Sequence, residues 1–139
     1  MALMKTHIEF TRAPIVPPSA SRIAAEIGAC VVFSGIVRES ENGSKIPGLN
    51  YQAYEPMALN QLGKICHELG TRHPCEEILL IHRLDFVPVG EASLFIRIQA
   101  RHRQSSLALM TELIDRLKTD VPIWKQEIEM AAPQSPKVP

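Results

Sequence analysis

Apolar and polar positions change period several times along this chain, and each change marks an element. Residues 6–11 alternate and predict a strand, followed by a connector stiffened by Pro14, Pro17 and Pro18. Ser19 or Ser21 can cap a short helix through Ile27, with Gly28 as its stop. Residues 30–38 are β-branched and mostly apolar, the pattern of a buried strand. Residues 39–47, with Asn42-Gly43, read as a polar loop with turn chemistry. A further strand is expected over 49–54, antiparallel to the one before it.

Pro56 suits the first turn of a helix running to about Thr71, with Met57, Leu62, Ile65, Cys66 and Leu69 on its apolar side. Residues 77–87 and 92–100 predict strands on either side of a turn at Val89-Gly90-Glu91. The clearest helix is 103–119, where Leu107, Met110, Leu113, Ile114 and Leu117 recur at helical spacing. Residues 123–130 read as a last extended segment. Strands interleaved with helices and hairpins predict an α+β fold, a mixed or antiparallel sheet with flanking helices. The domain organisation expected is a single domain over 1–130 and a flexible tail over 131–139, which carries three prolines and little to bury.

Composition narrows the function classes. The 139 residues hold 15 basic and 15 acidic side chains, so the basic excess of a nucleic-acid binder is missing. Residues 1–10 have no apolar signal core and no apolar run approaches a membrane span, so a cytoplasmic protein without membrane contact is expected. Cys30, Cys66 and Cys75 are odd in number and form no C-x-x-C pair, which argues against disulfide scaffolding. Cys66-His67 and His73-x-Cys75 can be drawn together as four metal ligands, but adjacent helical positions point in different directions. Core cysteines and surface histidines are the better account, and no metal is expected.

The candidate chemistry lies near the C-terminus. Lys118 and Lys125 stand seven residues apart, with Pro122 between them and the only tryptophan, Trp124, beside the second. A lysine amine that is partly desolvated, or crowded by other cations, loses proton affinity and can act as acid, base or nucleophile near neutral pH. Two His-Arg dipeptides, His82-Arg83 and His102-Arg103, flank the turn at Gly90, and a hairpin there would send both towards the strand ends remote from it. His102-Arg103 also opens the long helix, where backbone N–H groups favour an anion. Arg38 closes a strand ahead of a loop. Arg38, His102, Arg103, Lys118 and Lys125 together imply a cationic pocket in a neutral protein, suited to a small anionic substrate such as a phosphate.

These residues carry a resemblance. Phe33-Ser-Gly35-Ile-Val37-Arg38, Leu49-Asn-Tyr51-Gln-Ala53-Tyr54-Glu55-Pro-Met57-Ala58, His82-Arg83, Val89-Gly90-Glu91, His102-Arg103 and Leu117-Lys118-x-x-Val121-Pro122-Ile123-Trp124-Lys125-x-Glu127 resemble, in order, the MoaE family, the large catalytic subunit of molybdopterin synthase. The resemblance implies an α/β-hammerhead type of α+β fold. It also implies a sulfurtransferase that converts cyclic pyranopterin monophosphate into the molybdopterin dithiolene, in molybdenum cofactor biosynthesis. Sulfur would come from the C-terminal thiocarboxylate of a small ubiquitin-like, MoaD-like subunit. The implied assembly is a homodimer of large subunits within a heterotetramer, with no cofactor.

Carried over by position, Lys118 and Lys125 are the catalytic lysines, and Arg38, His102 and Arg103 bind substrate. The family pocket borders the dimer interface, so some of these residues are expected to serve the neighbouring subunit's site. Three positions depart from the family pattern: Asp85 where glycine is common, Ser106-Leu107 where a small-aromatic pair is common, and Gln52 where glutamate is usual. Asp85 bears on a local turn, because glycine alone visits positive φ cheaply. The alternative reading is a non-catalytic α+β module or inactive paralogue that binds a phosphorylated metabolite or a partner protein's tail.

Overall fold

The computed structural model describes residues 4–19 and 24–127. Its main sheet has four strands: β1 (Lys5–Thr11), β2 (Ala29–Ile36), β6 (Glu77–Arg83) and β8 (Ala92–Ala100), in the order β1-β6-β8-β2. The first pair is parallel and the other two are antiparallel, with Ile78 facing Ile98 and Val31 facing Ile98 across β8. A second sheet places β5 (Gly48–Ala53) between β7 (Asp85–Pro88) and β9 (Ile123–Glu127). Between β2 and β5, β3 (Ser40–Glu41) and β4 (Ser44–Lys45) form a miniature hairpin around Asn42-Gly43, both at positive φ. That backbone is the one an Asn-Gly pair adopts most cheaply.

Two helices cover one face of the main sheet. Helix α1 (Glu55–Arg72) starts with a proline in its first turn, an acidic side chain there and a basic one in its last, matching the helix dipole at both ends. It buries Ala58, Leu62, Ile65, Cys66 and Leu69. Helix α2 (Arg103–Asp120) buries Ser106, Leu109, Met110, Leu113 and Leu117, and stops before Pro122, where Val121 is already extended. These stripes pack on Ile78, Leu80, Ile96 and Ile98 to form one core. A smaller cluster of Val37, Ile46, Leu49 and Val87 ties the second sheet to the base of the miniature hairpin. On the main sheet's opposite face Leu79, Ile81 and Phe95 lie under Ile15 of the Pro-rich connector.

The α+β expectation holds, with specific corrections. Residues 77–87 are not one strand: Asp85 takes φ 68°, and the chain turns there from the first sheet into the second. β5 does not pair with β2, because Asp85–Pro88 and Ile123–Glu127 occupy its two edges. β2 is an edge strand with alternating exposure, so Cys30, Val32 and Ile36 face outward instead of being buried. Met57 and Leu107 are exposed, and Ala58 and Leu109 hold the core positions expected of them. Of the short helix expected after Ser19, residues 20–23 lie outside the described residues. Residues 24–28 form a turn closed by Ile27 N–H donating to Ala24 O. Gly28 N–H then donates to Ala100 O, in a contact with the end of β8 too close for any Cβ. The expected tail, 131–139, also lies outside the described residues. No described helix is long and apolar enough to cross a membrane.

Candidate active site

The two sheets and the end of α2 enclose a cavity of about 700 Å³. One wall is the C-terminal end of β2 and the residues after it, from Phe33 to Arg38. Tyr51, His82 and Leu94 come from β5, β6 and β8, and Leu117 and Lys118 from the last turn of α2. Ile123, Trp124 and Lys125 close it from β9. Pro122 makes this possible: it ends the helix and reverses the chain, so residues seven apart in sequence flank one space.

Three of the five expected site residues therefore meet. Lys118 projects from the helix C-terminus, where a cation is favoured, and makes no hydrogen bond or ion pair with a described residue. Arg38 is likewise exposed at the cavity and has no ion pair with a described residue. Lys125, opposite Tyr51 in the β5–β9 ladder, donates from Nζ to Glu41 Oε2 at 2.7 Å. The desolvated setting expected of this lysine is corrected: it is half exposed, and its immediate partner is a carboxylate.

His102 and Arg103 do not join them within one chain. They sit at the N-terminus of α2 and Lys118 at its C-terminal turn, about 22 Å along the axis at 1.5 Å per residue. The hairpin register explains the error for the two dipeptides. His82 pairs with Leu94 near the Gly90 turn, whereas His102 lies beyond the far end of β8, so they occupy opposite ends of the sheet. Arg83, on the other face from His82, is buried and donates to Glu91 Oε1 at 2.6 Å across the turn, which is a structural role.

Two residues outside the five expected ones also line the cavity. His82 is 4% exposed and lines the cavity. Its Nδ1 lies 2.8 Å from Arg83 O, and a carbonyl only accepts, so Nδ1 carries the proton and Nε2 keeps its lone pair in the neutral ring. Burial lowers its pKa, against a smaller opposing effect from that backbone hydrogen bond. The available signal was a histidine inside the apolar run 78–84, a polar group that burial obliges to find a partner. The other residue is Glu41, whose hydrogen bond to Lys125 holds its pKa below the ordinary carboxylate value, with the charge of Arg38 adding to it. An acidic residue in a polar turn carries no such signal.

The cysteines are packing groups or surface residues. Burial pushes the Cys66 thiol up to about 12 and Cys75 to about 11, so neither is a ready thiolate, and Cys30 is exposed on β2. Among the described residues no three His, Cys, Asp or Glu side chains gather as metal ligands.

Comparison with known proteins gives this arrangement its relatives. The family described as MoaE protein matches residues 10–120. A molybdopterin synthase catalytic subunit of Drosophila mojavensis is 48% identical over 102 residues, 73% of this chain and 28% of that protein. The human molybdopterin synthase catalytic subunit is 40% identical over 126 residues, 89% of this chain and 67% of that one. The chain thus spans roughly a quarter to two thirds of the length of these relatives. The crystal structure of molybdopterin synthase from Staphylococcus aureus superposes with a TM-score of 0.79 at 32% identity, covering 88% of this chain and 90% of that one. With its Lys…Pro-Ile-Trp-Lys block folded onto one cavity and this match over most of its length, the chain belongs to the MoaE family.

Proposed function

We propose that this protein is the catalytic subunit of a molybdopterin synthase, a sulfurtransferase of molybdenum cofactor biosynthesis. Its substrate is cyclic pyranopterin monophosphate, and its sulfur donor is the C-terminal thiocarboxylate of a small ubiquitin-like, MoaD-like subunit. The observation that carries the reading is the meeting of Lys118, Lys125 and Arg38 on one cavity beside Trp124. Its volume suits a substrate of a few rings, and its cations suit a phosphate and a thiocarboxylate together.

As the thiocarboxylate sulfur bonds to a side-chain carbon of the pyranopterin, the C–O bond at that carbon breaks; one lysine protonates the departing oxygen and the other stabilises the developing negative charge. Each transfer leaves the donor tail as a carboxylate, with water supplying the oxygen that replaces sulfur. Arg38 holds the phosphate by its planar fork. The dithiolene carries two such sulfurs, so a second charged donor tail must follow the first into the same cavity.

His102 and Arg103 bind substrate in this reading, but in the neighbouring subunit's site. Their distance from Lys118 along α2 supports an assignment across a homodimer, itself the centre of a heterotetramer with a small subunit at each end. The relatives' description as catalytic subunits supports a multisubunit assembly. The working unit is a single domain over 1–130 in the cytoplasm.

A single-turnover assay tests the reading. Protein mixed with thiocarboxylated small subunit and cyclic pyranopterin monophosphate should give dithiolene, followed by fluorescence after oxidation. A folded protein that binds the small subunit and forms no product would be a paralogue that kept the interface and lost the chemistry.

A further inference from the structure

The cavity that gathers three cations also contains an anion of its own. Glu41 reaches in from β3 to Lys125 at 2.7 Å, and its side chain is only 13% exposed against 50% for the lysine. The carboxylate is thus the inner member of the pair. Arg38, on the same cavity wall, adds its charge to the attraction. An ordinary surface ion pair has both partners in water; this one places a carboxylate where an anionic substrate would sit.

The element that carries Glu41 is slight. β3 and β4 have two residues each and form a sheet of their own, with no ladder to either larger sheet. Its base is fixed: Ile46 N–H donates to Glu39 O at 2.9 Å, and Ile46 is buried against Val37, Leu49 and Val87. Its tip, Asn42-Gly43, is exposed. Small rotations about a fixed base move Glu41 without disturbing a core.

We infer that Glu41 is a displaceable internal anion, which occupies Lys125 until an anionic group entering the cavity takes its place. This rests on the assignment of Arg38 and Lys125 to an anionic substrate pocket. A phosphate brings more charge and more acceptor oxygens than a carboxylate, so it competes well for the same donors. The ousted Glu41 is rehydrated at the cavity mouth. Two consequences follow. Lys125 is held in place before substrate arrives, and the affinity for any anion is reduced by the fraction of molecules in which Glu41 still occupies the position. Glu41 acts through Lys125 and is a positioning residue.

The test is calorimetric titration of inorganic phosphate into the full chain at constant ionic strength, comparing wild type with Glu41→Gln, Glu41→Ala, Lys125→Ala and Arg38→Ala. Circular dichroism checks the fold of each. Both Glu41 variants should bind phosphate about three- to tenfold more tightly, the size expected on removing one competing, partly screened charge, and Lys125→Ala should bind more weakly. Weaker binding by Lys125→Ala with unchanged or weaker binding by both Glu41 variants would overturn the displacement and leave the pocket assignment standing. Phosphate affinity indifferent to Lys125→Ala and Arg38→Ala alike would overturn both.

Discussion

Tyr51 stands edge-on to His82, with ring centroids 5.2 Å apart and planes at 67°. One residue belongs to the second sheet and the other to the first, so this contact joins the two sheets along the cavity wall. Phe10 meets the same imidazole from β1, 6.5 Å away and also edge-on. Such geometries are the favoured ones for ring pairs. They hold His82 in one orientation while its Nδ1–H is committed to Arg83 O.

That setting makes stability depend on pH through His82. Burial lowers its folded pKa, so the folded state resists a proton that the unfolded chain accepts near the ordinary value of about 6.5. Its favourable contribution is complete above that value and is lost as pH falls below it, until the folded pKa is passed. Melting temperature should therefore drop between pH 7 and 5, and His82→Leu should flatten the slope. Equal slopes for the two proteins would rule out this role.

Lys118 has no described partner to lose, so removing its amine should spare the fold. Lys118→Ala should keep its melting temperature and its affinity for the small subunit, while single-turnover dithiolene formation falls by about 10²- to 10⁴-fold, the usual scale of a proton-transferring or charge-stabilising group. Lys125→Ala should lose comparable activity, and it also releases Glu41. Full turnover by folded Lys118→Ala would remove the assignment.

Asp85 is a test of backbone cost. Its φ of 68° lies in the left-handed region, which costs an L-residue about 1–2 kcal/mol and glycine almost nothing. The side chain accepts a hydrogen bond from Arg12 Nε at 3.1 Å, but both partners are more than half exposed, so little stability returns through that pair. Asp85→Gly should raise stability by about 0.5–1 kcal/mol and Asp85→Ala should lower it, since alanine keeps the strain and loses the acceptor. Urea denaturation measures both. A less stable Asp85→Gly would mean the Arg12 contact outweighs the strain.

The same residue shows what could be read from sequence and what could not. Positive φ at 85 was legible as an unusual residue where a turn prefers glycine, but the transfer of the chain between two sheets at that point was not. Local patterns specify elements. They do not say which edges β7 and β9 occupy, because pairing is decided by long-range fit between apolar faces. Lys118 and Lys125 were legible because Pro122 fixes their mutual placement locally. Glu41 became visible only when the miniature hairpin folded back over Lys125, a contact between residues 84 apart. His102 and Arg103 were placed with the lysines by charge, and the length of α2 separates them.

That separation gives a decisive experiment. Suppose Arg103 serves the neighbouring subunit's site, and equal amounts of Lys118→Ala and Arg103→Ala proteins are unfolded together and refolded as a mixture. A mixed dimer then holds one site with both substitutions and one site with neither. About half the dimers are mixed and each regains one of its two sites, so activity should recover to about a quarter of wild type, although each variant alone is nearly inactive. If Arg103 acted in its own subunit's site, every site in every dimer would lack either Lys118 or Arg103, and mixing would restore nothing. The length of α2, with Arg103 at its first residue and Lys118 in its last turn, leads us to expect recovery.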